Sequence, residues 1–230
     1  MKDHTIKKQN TVYGFSLLET LVAISILMMT IVGPLELASK GIVFADYVKD
    51  EITGFYLAQE AIEAIRNIRD TNIKNSSSWL SGIREKCINS AGVASVPCRI
   101  DIWDFSPNKG YGLEKCPGAC LLDDQKKWEK MEVVDVGDSR GTVKLYGYNF
   151  TDDIKSSATP GDSMFSRRIT ITPISYMGKG LTAEQVAETQ FDPSGIDEVN
   201  VTVEVYWSRS SLQGIYAERN VTVSENMFSI

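Results

Sequence analysis

The sequence predicts an α+β protein in which one long N-terminal helix, apolar in its first half and amphipathic in its second, packs on an antiparallel sheet of four to five strands. Three observations lead there. Phe15 to Leu37 is an apolar run; Ile52, Phe55, Ala58, Ile62, Ile65 and Ile68 recur at helical spacings of three and four; and Val199, Val201, Val203, Val205 and Trp207 alternate with polar residues. The chain has 230 residues, 43% hydrophobic and 23% charged, with 24 Lys plus Arg against 30 Asp plus Glu and a formal charge of −6. This composition excludes wholesale disorder and allows a core that folds without dense staples. An acidic balance also argues against a chain built to grip nucleic acid, which needs clustered Lys and Arg. The single histidine is His4, so no imidazole follows Gly14. Catalytic triads, Cys-His dyads and His-bound metals lose their usual base or ligand, and no catalytic residue, metal or cofactor is assigned.

Residues 1–14 are polar and slightly basic, Lys2, Lys7 and Lys8 outweighing Asp3. The run Phe15–Leu37 interrupts its apolar character only with small hydroxyl residues, Glu19 and Glu36. At about 1.5 Å per residue it is long enough to cross a hydrocarbon core of roughly 30 Å. Lys7 and Lys8 precede the run, whereas Lys40 and Lys49 beyond it are diluted by Asp46, Asp50 and Glu51. The basic side stays in the cytoplasm, which predicts a single-pass membrane protein with its C-terminal domain outside. A secretory signal peptide would need a small-x-small cleavage site after the run, and Glu36-Leu37-Ala38 places a charge where a small residue belongs. A plain single-span anchor fits the composition but gives no reason for Glu19. A carboxylate near the middle of a membrane helix costs about 2.5 to 3.5 kcal/mol, less near the interface, and such a residue marks a function with a specific partner.

The segment Lys7-Lys8-Gln9-Asn10-Thr11-Val12-Tyr13-Gly14-Phe15-Ser16-Leu17-Leu18-Glu19 resembles the class III signal of type IV pilins and of the pseudopilins of type II secretion and DNA-uptake systems. Four features carry the resemblance: the basic leader, Gly directly before Phe, Glu at the fifth position after that Gly, and the unbroken apolar tail. It implies that a prepilin peptidase removes residues 1–14 by cutting after Gly14, and that Phe15 becomes an N-methylated N-terminus. Glu19 would pair with the new α-amino group of a neighbouring subunit, a buried pair that serves register more than stability. Gly33 and Pro34 resemble the family's helix-kinking position; an ordinary kink in a lone membrane helix is the other reading. The partners implied are the peptidase, other pilins or pseudopilins and an inner-membrane assembly platform, with the domain ending in a cell-surface or periplasmic filament. The absence of any cysteine after Cys120 favours a minor pilin or pseudopilin over a principal subunit. A membrane-anchored surface binding module that never polymerises is the competing reading.

Residues 38–72 continue the helix as its amphipathic half, with Glu60, Glu63, Arg66 and Arg69 off the apolar stripe. The stripe is too short and irregular for a coiled-coil seam. Residues 73–130 are expected to be a variable, loop-rich segment, with a short helix near Trp79–Ile83 and turns at Pro107–Gly110 and Pro117-Gly118. Residues 131–230 are expected to form the sheet, from strands at Met131–Val136, Thr142–Asn149 and Arg167–Ile174 and a hairpin built on Val199–Trp207 and Ile215–Val223. Pro173 should end or edge its strand, and residues 176–197 form a long excursion, either a surface loop or a binding element.

Cys87, Cys98, Cys116 and Cys120 all fall on the side placed outside the cytoplasm, where pairing is favoured. Three connectivities are possible, and closeness in sequence favours Cys87 with Cys98 and Cys116 with Cys120. A four-cysteine zinc site is the alternative, though spacings of eleven and four do not resemble two paired knuckles. Asp123 with Asp124, Asp152 with Asp153, and Asp135 with Asp138 read as solvated turns, because none supplies the alternating ligands and closing Glu of a calcium loop.

Overall fold

The computed structural model describes residues 14–88, 95–106, 110–116, 118, 125, 128–138, 141–148, 160–175, 196–210 and 216–229. The leader up to Tyr13, Cys120 and the excursion from 176 to 195 lie outside the described residues. The chain divides into two compact units, Met1–Lys49 and Asp50–Ile230.

Helix α1 is a single element, Leu17–Lys74, with Pro34 inside it. Ser16 starts it: its Oγ accepts the Glu19 amide at 3.2 Å, which satisfies one of the free amides of the first turn. The other end closes at Ser76, whose φ of 54° is the left-handed conformation usually given to glycine. The Ser76 amide donates to Ile73 O (3.0 Å) and the Ser77 amide to Asn72 O (2.9 Å), the bonding of a Schellman stop. The Asn72 side chain then donates to Trp79 O (3.2 Å) and Ser81 O (2.8 Å), holding the next turn in place. The short helix expected near Trp79–Ile83 is displaced: α2 is Ile83–Cys87, because residues 78–82 are used in that turn.

The second unit is an α+β domain. Its main sheet has five strands: β1 (Cys98–Ser106), β2 (Gly110–Lys115), β6 (Phe165–Ser175), β7 (Ile196–Ser210) and β8 (Tyr216–Phe228), in the order β2-β1-β6-β7-β8. All neighbouring pairs are antiparallel. A second sheet of three strands is formed by β3 (Glu132–Asp138), β4 (Gly141–Gly147) and β5 (Gly161–Asp162), in the order β4-β3-β5. The strand count expected for the main sheet is met, but its membership differs. The strands read at Met131–Val136 and Thr142–Asn149 belong to the second sheet, while β1 and β2 come from the segment expected to be loops. Arg99 to Trp103 does carry a period-two pattern, Ile100 and Ile102 between Arg99, Asp101 and Trp103; the turn signals around it are the stronger local feature.

The β7–β8 hairpin pairs as its alternation requires, with Val203 opposite Val223 and Val205 opposite Val221. Val199, Val201, Val203, Val205 and Trp207 turn one face of β7 into the core, against Leu57, Ala58, Ala61, Ile62 and Ile65 of α1. Gly54 brings Trp207 close to the helix: a Cβ there would stand 2.9 Å from the Trp207 Cζ3. Tyr206, on the opposite face of β7, is also buried, with Trp128 and Cys116, so part of the sheet's outer side is covered as well. Pro173 does not end its strand. Strand β6 runs on to Ser175, and β1 begins only at Cys98, opposite Ile169, so among the described residues no strand pairs with that side of β6 at Pro173. The missing N–H is tolerated there. Strand β7 begins at Ile196, which trims the excursion expected to reach residue 197.

Candidate functional site

Two groups of residues carry chemistry, and each belongs to one unit. The first is the start of α1. Gly14 and Phe15 precede the helix, both exposed, and Glu19 lies in its first turn. A carboxylate is favoured at that end of a helix, where the peptide dipoles leave partial positive charge.

From Leu17 to Lys49 every residue except Tyr47 is exposed, although the stretch includes a run long and apolar enough to cross a membrane. Most of the polar side chains in the apolar run have partners within the helix. Thr20 Oγ1 donates to Leu17 O, Ser25 Oγ to Leu21 O and Thr30 Oγ1 to Leu27 O, each at 2.8 Å. Such back-bonding hides a hydroxyl from an apolar solvent. Glu36 pairs with Lys40 at 2.7 Å. Glu19 differs: among the described residues nothing bonds to its carboxylate. Gly33 and Pro34 lie within the helix, exposed, with nothing within 4 Å of where a Gly33 Cβ would be. They stand about 21 Å along the axis from Glu19, so the two features act separately.

The second group is a buried polar knot that the sequence analysis missed. Arg167 on β6 has a side chain 1% exposed. Its Nη1 donates to Leu57 O of α1 and to Glu60 Oε2, both at 2.8 Å, and its Nη2 to Ile100 O of β1 at 2.7 Å. One guanidinium therefore ties the helix, β1 and β6 together through a planar fork of donors. Tyr148 joins the knot, its hydroxyl donating to Arg167 O at 2.9 Å, and burial raises its phenol above the ordinary value. Asp101 is buried beside it, accepting the Trp103 and Tyr148 amides at 3.0 Å each. A signal for Arg167 was present: Phe165, Arg167, Ile169 and Ile171 share one face of an alternating strand, so a cation sits in register with core residues. Nearer the sheet edge Arg66 of α1 grips Glu225 of β8 (2.5 and 2.7 Å), a hydrogen bond that raises its pKa further.

Cys87 and Cys98 form a disulfide that joins α2 to β1, with both residues fully buried. Cys116 is also disulfide-bonded, and its expected partner Cys120 lies outside the described residues. These bonds overturn the four-cysteine zinc alternative, which needs thiolates. Among the described residues no group of three or more His, Cys, Asp or Glu side chains is placed to hold a metal.

No family model, curated protein or solved structure matches the chain. The Arg167 knot has the marks of a structural pin: its side chain is enclosed and its partners are backbone carbonyls and a single carboxylate. The start of α1 is the opposite, an exposed carboxylate with no partner among the described residues, on an apolar helix.

Proposed function

We propose that the protein is a non-enzymatic structural subunit, a minor pilin or pseudopilin, of a type IV pilus or a type II secretion-like pseudopilus. A prepilin peptidase removes residues 1–14 on the cytoplasmic side of the membrane, and the α-amino group of Phe15, N-methylated, becomes the new terminus. Helix α1 holds the subunit in the membrane until the assembly platform passes it to the growing filament. Glu19 then accepts the terminal ammonium of an adjacent pilin, and the α+β domain remains outside.

The observation that carries this reading is the isolation of Glu19 in a run whose hydroxyls all bond within the helix. A carboxylate held in lipid without a partner is costly, so a residue of this kind implies a cation supplied from elsewhere. A freshly cut N-terminus four residues away in sequence, on a neighbouring copy at the same depth, is such a cation. The mass of the native chain tests the proposal directly. A protein lacking residues 1–14 and carrying a methyl group on Phe15 supports it. A chain that retains its leader overturns it and leaves a tethered surface module.

A further inference from the structure

We infer that β8 is the contact strand of a dimer. Its outer edge pairs antiparallel with β8 of a second copy, about a two-fold axis that passes between the two Thr222 residues, so that two five-stranded sheets become one. The inference concerns the domain alone and goes beyond the reading above, which stands or falls on processing after Gly14.

The two edges of the main sheet differ. Strand β2 closes one side with six residues that include Gly110 and Gly112, and its pairing with β1 is irregular between Asp101 and Ser106. Short, broken edges of this kind discourage further pairing. Strand β8 closes the other side with 13 residues, Tyr216–Phe228, in unbroken register with β7 and without proline, glycine or lysine. Among the described residues no strand lies beyond it. A row of backbone amides and carbonyls therefore faces outwards along β8, in the form that a further strand accepts.

The side chains select the occupant. Thr222 is the midpoint of β8, so a copy turned about that residue pairs all 13 positions. Val221, Val223 and Glu225 lie opposite the core residues Val205, Val203 and Val201, and Arg219 opposite Trp207, so these four share the face turned to α1. In the pair, Val221 meets Val223 and Arg219 meets Glu225, each twice, while Asn220 meets Ser224 and Thr222 meets itself on the other face. Apolar, opposite-charge and hydroxyl pairs of this kind stabilise adjacent strands. Moving the centre by one residue puts Glu225 opposite Val221 or Ala217, and Arg219 opposite Met227 or Val223, so only Thr222 matches the charges. Arg66 already holds Glu225, whose two oxygens keep lone pairs for a second guanidinium. Val221 and Val223 are only half-buried, and a second strand would cover them. The helices do not collide. Each α1 packs on its own β7, and the two β7 strands would stand three strand spacings apart, about 14 Å, more than the roughly 8 to 10 Å between packed helices. The axis runs the two α1 helices in opposite directions, so within the reading above the paired copies belong to two filaments lying side by side.

The test uses the full chain in detergent micelles at increasing concentration. Light scattering should show a reversible dimer. Thr222→Cys, whose Cα would lie about 5 Å from that of its copy, should form an intermolecular disulfide under mild oxidation. Ser224→Cys, about 14 Å from its copy, should not, whereas Asn220→Cys and Ser224→Cys proteins, once mixed, should cross-link to each other. Arg219→Glu sets an acid opposite each Glu225 and should weaken the dimer about tenfold. A chain that stays monomeric at about 0.1 mM overturns the pairing. A dimer that cross-links equally well through Thr222→Cys and Ser224→Cys, or that Arg219→Glu leaves as tight, also overturns it and assigns the association to the apolar run of α1. Cleavage after Gly14 is decided separately, by the mass of the native chain, so either proposal can fail without the other.

Discussion

Between Leu17 and Lys49 nearly every side chain of α1 is exposed, whereas between Asp50 and Lys74 the same helix buries Leu57, Ala58, Ala61, Ile62, Ala64 and Ile65 in a core. The second half also has specific polar ties, Arg167 to Leu57 O and Glu60, Arg66 to Glu225, and Arg209 to a nearly buried Asp50 at 3.1 Å. In the apolar run of the first half, Thr20, Ser25, Thr30 and Glu36 bond within the helix. Most of a helix's stability in a protein comes from what covers its apolar face. The second half is covered by its own domain, whereas the apolar run of the first is left exposed among the described residues. Substitutions in the two halves should therefore be read by different measurements.

The largest effect is expected from Glu19→Ala. It should abolish incorporation into sheared filaments while membrane insertion and the melting of the domain stay unchanged; normal incorporation would leave that carboxylate without a role in assembly. Next is Arg167→Met, which leaves Glu60 and two carbonyls without their donor. Truncating one partner of a buried pair costs about 3 kcal/mol or more, and urea unfolding of the domain should report it with no change in processing after Gly14. Replacing Cys87 and Cys98 together by Ser should cost about 2 to 3 kcal/mol in the same assay, because the loop they close is short.

A glycine pair makes the comparison sharper. Gly54→Ala forces a methyl group against Trp207 and should destabilise the domain by about 1 to 3 kcal/mol. At Gly41 nothing lies within 4 Å of the added carbon, so Gly41→Ala should leave domain stability unaltered. Equal losses from the two would mean that the halves are not separate in the way described.

The smallest expected effect is on pH dependence. Burial raises the Tyr148 phenol above its unfolded value of about 10. Its contribution is therefore complete below that pH and is lost as pH rises through the folded value. Stability should fall as the pH rises above about 10, with a shallower fall in Tyr148→Phe. Some slope should remain, because burial raises Tyr146 in the same direction.

Where one physical signal acted alone, the sequence could be read. The stripe from Ile52 to Ile68 and the alternation of β7 each reflect a single buried face, and both elements were found near their expected limits. Two sheets with similar strands are harder to separate. The alternation in β3 and β4 is the same whichever sheet they join, and the choice depends on pairing at long range. Strand β1 was obscured by turn residues beside it, and Arg167 by its charge, since a cation on an alternating strand is normally assigned to solvent. At the start of α1 the motif identified Glu19 as unusual; what it could not reveal is that every neighbouring hydroxyl in the run is already satisfied.

The cap at Ser16 has a consequence for a chain cut after Gly14. Only Phe15, which would carry the new ammonium, and the Ser16 cap would precede the first helical turn at Leu17, so that charge could not drift far from the axis. It would also be held at the end of the helix where unpaired amides already repel a cation. A terminus so confined and so poorly received by its own backbone is primed to bind a carboxylate on another molecule.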